Sequence, residues 1–351
     1  METNLFDRFG LKNEGSDKVF IIAELSANHN QNFNIAVETI KAAKEAGADA
    51  IKLQTYTADT LTLDSNKPYF QIKQGTIWDG TNLYSLYKEA FTPWEWQPKL
   101  KQIAEDLGLI CFSSPFDKTS VDFLEGINVP AYKIASFEIT DIPLIEYVAS
   151  KGKPVIISTG IASLEEIDEA LSACYKVGNK DVALLKCTSS YPAPIELANL
   201  RTITDMKKRF GIPVGLSDHT MSNSVAIASV ALGARIIEKH FILDRNIGGP
   251  DSSFSMNKKE FADMVKSIRE VEKALGCISY TLSEGAQKNR KFSRSLFVVK
   301  DLKEGDIITE DNVRSIRPAD GLQPKFLPEI LGKKVNRNIE KGEPFKLEYL
   351  L

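Results

Sequence analysis

Histidine and cysteine are scarce in this chain, and neither sign of charge is in excess. The histidines are His29, His219 and His240; the four cysteines, Cys111, Cys174, Cys187 and Cys277, make no C-x-x-C pair. That spacing excludes a zinc knuckle and a disulfide framework, and Cys111 and Cys187 stand in apolar runs where a thiol acts as a small hydrophobe. A formal net charge of -3 leaves no basic surplus for nucleic acid or an anionic membrane surface. Long hydrophobic runs are missing as well: no apolar stretch approaches the roughly 20 residues that span a bilayer. Residues 1–10 contain no apolar signal-peptide core. The expectation is a cytoplasmic protein with no nucleic-acid or membrane partner. What remains is an ordinary globular composition, 43% hydrophobic and 26% charged over 351 residues, enough for two domains or for one large domain with an appendage.

From about residue 19 to residue 275, short β-branched runs alternate with amphipathic helical patterns. Strands are expected at 19–25, 50–56, 109–116, 131–138, 154–160, 182–189, 213–219 and 235–241. Most are nearly continuous apolar runs ending in polar residues, as parallel strands buried on both faces should be. Ser163 followed by Glu166, and Asn257 followed by Glu260, open helices with capping-box signals. Eight strand–helix pairs in about 250 residues predict a TIM (β/α)8 barrel. An open doubly wound sheet is the alternative, but no Gly-x-Gly-x-x-Gly follows the first strand. A long insertion over residues 57–94, rich in Asp, Asn, Tyr and Trp, is expected to cover the barrel mouth. We divide the chain into a barrel over 1–280, a linker over 281–294, and a turn-rich, mostly β module over 295–351.

Barrel chemistry sits at the carboxyl ends of strands. Those ends carry Glu24, Lys52, Gln54, Ser114, Lys133, Ser136, Glu138, Ser158, Ser189, Tyr191, Ser217, His219, Glu238 and His240. A hydroxyl-rich ring containing lysines suits a ligand bearing phosphate and carboxylate. His219 and His240 end adjacent strands with parity that lets both face the mouth, so two imidazoles and a few oxygens could hold a divalent ion. Mn²⁺ suits such a site best, Mg²⁺, Co²⁺ and Zn²⁺ stay open, and a plain hydrogen-bonding pair is the competing reading. His29 reads as a turn-shaping residue. Lys52 and Lys133 need anionic partners, and a structural salt bridge to Glu24 or Glu138 would satisfy them. Lys133 has the opposite parity to Ser136 and Glu138, so all three face the mouth only if the strand bulges or ends between them.

At these residues the sequence resembles the sialic acid synthase family along almost its whole length. The matching motifs are Ile22-Ala23-Glu24 with Asn28-His29, Lys52-Leu53-Gln54-Thr55, and Phe112-Ser113-Ser114-Pro115-Phe116. They continue through Lys133-Ile134-Ala135-Ser136-Phe137-Glu138, Ser158-Thr159-Gly160, Ser217-Asp218-His219-Thr220, Glu238-Lys239-His240-Phe241 and Gly249-Pro250-Asp251. The terminal module resembles the family's antifreeze-like (SAF) domain, with Arg317-Pro318 and Gly321 in its loop. Ser26-Ala27, Trp78-Asp79-Gly80 and the Thr92-to-Trp96 run resemble the pseudaminic acid synthase branch rather than the neuraminate branch. Two positions depart from the family pattern: Gln31 replaces a frequent glycine, and Ser189 stands where neuraminate enzymes carry asparagine.

The resemblance implies a metal-dependent transferase that condenses phosphoenolpyruvate with a 2,4-diacetamido-2,4,6-trideoxy-L-altrose and water. Pseudaminic acid and phosphate would be the products, with a neuraminate or legionaminate acceptor as the alternative. It implies Glu24 as catalytic carboxylate and His219 and His240 as metal ligands. Lys52, Ser114, Lys133, Ser136, Ser158, Ser189 and Ser217 would hold phosphoenolpyruvate. Gln54, Glu138, Tyr191, Asp251 and Arg317 would contact the N-acylated amino-sugar aldehyde, Arg317 from the partner of a domain-swapped homodimer. Two other readings stay open at this point: a carbohydrate- or ice-binding protein built on the terminal module, and a Schiff-base aldolase using Lys133 or Lys186.

Overall fold

Alternation along eight short strands sorts the side chains of the first unit into two cores. The computed structural model describes residues 18–351, so the expectation about residues 1–10 lies outside the described residues. The strands are β1 (Phe20–Glu24), β2 (Ala50–Thr55), β3 (Ile110–Pro115), β4 (Tyr132–Ile134), β5 (Val155–Ser158), β6 (Val182–Cys187), β7 (Val214–Asp218) and β8 (Ile236–His240). All neighbours are parallel, and β1 pairs with both β2 and β8, closing a TIM barrel. After each strand comes a helix: α1 (Phe33–Glu45), α2 (Gln97–Asp106), α3 (Lys118–Gly126), α4 (Ile142–Ala149), α5 (Leu164–Lys176), α6 (Arg201–Phe210), α7 (Asn223–Ala231) and α8 (Lys258–Leu275). No helix among the described residues is long and apolar enough to cross a membrane.

Phe20, Ile22, Ala50, Phe112, Ala131, Ile156, Ala183, Leu185 and Ile236 form the core inside the ring. Residues of the other parity, such as Ile21, Ile51, Ile157, Leu184 and Ile237, join the larger core beneath the helices. Each fully buried side chain of this kind stabilises the fold by about 1.5–3 kcal/mol. Inside the ring space is tight: a Cβ on Gly215 would meet the Ile236 carbonyl oxygen at 2.3 Å and Leu185 Cδ2 at 2.6 Å. Only glycine fits there.

All eight expected strands are present, each trimmed at one end or both, but the segment 131–138 divides. Its strand stops at Ile134, and a 3-10 turn over Ser136–Glu138 follows. That break resolves the parity conflict, because the turn re-aims Ser136 and Glu138 independently of Lys133. Both expected capping boxes form: Ser163 Oγ accepts from Glu166 N while Glu166 accepts from Ser163 N, and Asn257 and Glu260 repeat the pattern.

The insertion after β2 contains short helices at Ala58–Leu61 and Leu83–Ala90 and a bridge between Gln71 and Asn82. Its tip reaches the loop after β8, where Trp78 Nε1 donates to the Pro250 carbonyl at 2.9 Å. The insertion therefore lies across the mouth.

The chain divides into compact units at Gly276 and Cys277. The second unit begins with a short helix, Glu284–Asn289, inside the stretch we read as a linker. It then pairs β9 (Ser295–Val298) antiparallel with β10 (Val313–Ile316). Around this hairpin Leu296, Val298, Ile308, Val313, Ile330, Val335, Ile339 and Phe345 make a separate small core.

Candidate active site

Glu24 ends β1 and is almost fully enclosed, which places a carboxylate where ionisation needs support. Lys52 Nζ lies 2.9 Å from Glu24 Oε2, Gln54 Nε2 donates to Oε1 at 2.8 Å, and His240 Nε2 lies 3.5 Å away. Burial works against the charge, but the Lys52 ammonium, with Lys133 beyond it, outweighs it and holds Glu24 well below the usual carboxylate range. Lys52 also meets Glu238 Oε1 at 2.8 Å. Burial disfavours the Lys52 ammonium, yet Glu238 and Glu24 together keep it above the ordinary lysine range. Lys133 approaches the same Glu238 oxygen at 3.6 Å, and Ser217 Oγ donates to it at 3.1 Å. With one shared carboxylate and Lys52 nearby, Lys133 is pulled below the ordinary range, chiefly by burial. The partners are thus Glu24 and Glu238, not Glu138. Glu238 went unassigned in the sequence, although its period-two spacing from His240 carried the signal.

Around the mouth, at the ends of β3, β4, β5 and β8, lie polar atoms that lack protein partners. Among the described residues, the hydroxyls of Ser114 and Ser158 and one oxygen each of Glu138 and Glu238 are buried without a hydrogen bond. Such groups cost about 1–3 kcal/mol each unless something binds them, so they mark a ligand site. Beside them Gly160 N donates to Ser136 Oγ at 3.2 Å. A Cβ at Gly160 would fall 2.2 Å from Ser189 Oγ, 2.7 Å from Ser136 Oγ and 3.1 Å from Cys187 Sγ. Two hydroxyls and a thiol thus converge on bare backbone, a cradle that any side chain would fill. Burial lifts the Glu138 carboxyl to about 7, with Lys133 opposing.

His219 and His240 meet at the rim with ring centroids 5.3 Å apart. His219 Nδ1 is committed to the Thr188 carbonyl at 3.0 Å, which leaves Nε2 for a ligand. His240 Nδ1 is buried with no hydrogen bond among the described residues, and Asp251 Oδ2 lies 3.9 Å from it. Burial holds His240 below the ordinary imidazole range, hence neutral, the form that binds metal. No group of three or more His, Cys, Asp or Glu among the described residues forms a cage. The donor set is two imidazoles with an orphaned nitrogen, and this fits an open site whose other positions belong to water and substrate.

Asp251 is tied to Ser26 Oγ, and Gln54 Nε2 donates to the same hydroxyl at 3.0 Å. The Tyr191 ring lies 4.4 Å from that of His219. His29 holds the insertion instead of the mouth: Nε2 pairs with Thr92 Oγ1 and Nδ1 accepts from Gln31 N, both at 3.1 Å. Gln31 takes φ 51°, a left-handed conformation that favours glycine, and its amide donates to the carbonyls of Glu89 and Phe91 at 2.9 and 2.6 Å. The departure from glycine is explained by that tether. Arg317 lies in the second unit, exposed just beyond β10. Trp78 and Phe254, which line the rim beside Tyr191, were not read as site residues. Their signal is tertiary.

A sequence model of the NeuB family matches residues 39–280, and one of the SAF domain matches residues 293–350. A pseudaminic acid synthase of Campylobacter jejuni is 50% identical over 329 residues, 94% of this chain and 96% of that protein. The pseudaminic acid synthase of Helicobacter pylori is 47% identical over 93% of this chain and 96% of its own length. The crystal structure of N-acetylneuraminic acid (sialic acid) synthetase from Leptospira borgpetersenii superposes with a TM-score of 0.69 at 34% identity, over 78% of this chain and 90% of that one. With the family model spanning most of the barrel and these identities running nearly end to end, the chain belongs to the NeuB family.

Proposed function

We infer that this protein is a pseudaminic acid synthase: it joins phosphoenolpyruvate to a 2,4-diacetamido-2,4,6-trideoxy-L-altrose and releases phosphate. The observation that carries the reading is the Glu24–Lys52–Glu238–Lys133 network set directly under two imidazoles at the barrel mouth. A polyanionic substrate would meet the lysines, Ser217 and the orphaned hydroxyls of Ser114 and Ser158, while the Gly160 cradle with Ser136 and Ser189 would take its phosphate. Gln54, Glu138, Tyr191 and Asp251 would position the sugar. Holding both reactants in register removes up to about 7–11 kcal/mol of barrier.

His219 and His240 would hold a divalent ion, Mn²⁺ by preference, which when bound supplies Lewis acidity toward the aldehyde. The enol carbon of phosphoenolpyruvate bonds to the aldehyde carbon, and positive charge grows at the adjacent carbon. Glu24, held ionised by Lys52, faces that charge and orients the water that adds there. The carbon–oxygen bond to phosphate then breaks. Arg317 is assigned to the sugar in a second copy's barrel, in a domain-swapped homodimer, and the reaction to the cytoplasm, where phosphoenolpyruvate is made.

Phosphate release from phosphoenolpyruvate should be measured with the pseudaminic, legionaminic and neuraminic precursors, before and after chelation. Release should be fastest with the first, and should vanish on chelation and return with Mn²⁺. No release with any of the three would remove the proposal; undiminished release after chelation would remove the metal.

A further inference from the structure

Above the two imidazoles the rim is aromatic. Phe254 packs its ring 4.9 Å from His240 and 5.2 Å from Tyr191. Trp78 closes the group at 5.5 Å from Tyr191 and 6.2 Å from Phe254. The indole is presented rigidly. Asp79 accepts from Gly75 N at 2.9 Å and Thr76 N at 2.8 Å, fixing the turn, and Trp78 Nε1 is anchored on Pro250 O. The indole N–H is already taken by Pro250, and Phe254 has no polar handle. Trp78 and Tyr191 nevertheless stay half-buried, so part of each ring remains accessible. The faces of such rings pack better on an apolar group than on a hydroxyl.

We propose that Trp78 is a specificity-determining residue, whose indole with Tyr191 and Phe254 packs on a methyl-bearing substituent of the acceptor sugar and disfavours a hydroxyl there. This rests on the reaction inferred above. Three methyls of that sugar qualify, the one at C6 and those ending its two N-acetyl groups. The shared chemistry is a methyl on an otherwise polar sugar. Apolar pockets reject an added hydroxyl by at most about a hundredfold, so the discrimination expected is of order ten- to a hundredfold in kcat/KM.

Two matched acceptor pairs, 6-deoxy against 6-hydroxy and N-acetyl against N-glycolyl, test this on wild type, Trp78→Ala and Trp78→Phe. Wild type should prefer the methyl member of at least one pair, and that pair tells the C6 methyl from the N-acetyl methyls. Trp78→Ala should lower kcat/KM for that member about tenfold and bring the ratio near one, with KM for phosphoenolpyruvate and melting temperature nearly unchanged. Trp78→Phe, which keeps a ring but drops the bond to Pro250, should retain most of the preference. The assignment fails if wild type shows no preference, or if Trp78→Ala slows both members equally or neither. It also fails if Trp78→Phe loses as much as Trp78→Ala. A wild type that consumes phosphoenolpyruvate with none of the acceptors overturns the reaction itself, and this inference with it.

Discussion

On β1, Ile22 and Glu24 share one face of the strand, yet Ile22 belongs to an apolar floor and Glu24 to a charged mouth. The same step of two residues separates Ala50 from Lys52, Phe112 from Ser114, Ala131 from Lys133, Ile156 from Ser158 and Ile236 from Glu238. The floor is satisfied by packing alone. The mouth is not: its lysines and carboxylates hold one another, while Ser114, Ser158, Glu138 and Glu238 keep polar atoms with no partner among the described residues. One layer of side chains therefore stabilises the barrel, and the next accepts a cost that a ligand can relieve.

Substitutions in the two layers should separate cleanly, beginning with the largest effect. Glu24→Gln should cut turnover by about 10²–10⁴-fold while phosphoenolpyruvate, followed by calorimetry, still binds. Near-normal turnover would take Glu24 out of the chemistry. In the floor, Phe112→Ala should cost about 3–5 kcal/mol in urea unfolding but leave kcat/KM within a few-fold below its melting point. If this variant stays stable and loses activity, the floor is not inert.

A smaller effect follows from Glu138, whose carboxyl is lifted to about 7 by burial. The folded chain keeps a proton that the unfolded chain gives up in the ordinary carboxylate range. That stabilisation is whole below the ordinary range and is lost as pH rises through about 7. Glu138 is only half-buried, so solvent screening leaves a contribution of about 1 kcal/mol. Glu138→Gln should flatten the decline in melting temperature across that window; an unchanged decline would assign it to another group. The smallest effect is expected at Ser158. Its hydroxyl has no partner, so Ser158→Ala should be neutral or stabilise by up to about 1 kcal/mol, yet raise KM for phosphoenolpyruvate about tenfold. Destabilisation with unchanged KM would mean the hydroxyl serves the fold.

Most of this layering is readable along the chain because a strand has a period of two. Apolar runs ending in Glu24, Lys52, Ser158 or His240 announce both the barrel and its reactive end, and Ser163 and Asn257 announce helices by local hydrogen bonding. Capping and alternation involve neighbours within four residues, so the sequence carries them directly. Pairings across the barrel are another matter. Which carboxylate neutralises Lys133 depends on β4 lying across the ring from β8, and Glu238 proves to be the partner, not Glu138. The re-aiming of Ser136 depends on where β4 loses its neighbours, and the meeting of Trp78 with Tyr191 and Phe254 depends on an insertion folding back over a rim 170 residues further on, as the contact to Pro250 shows. The sequence by itself determined a parallel barrel and the identity of the groups at its mouth, because period and composition are local properties. Tertiary structure alone decided which charges pair, which hydroxyls stay unpartnered and which rings of the insertion and the rim meet, because those follow from distances between segments that only closure of the ring brings together.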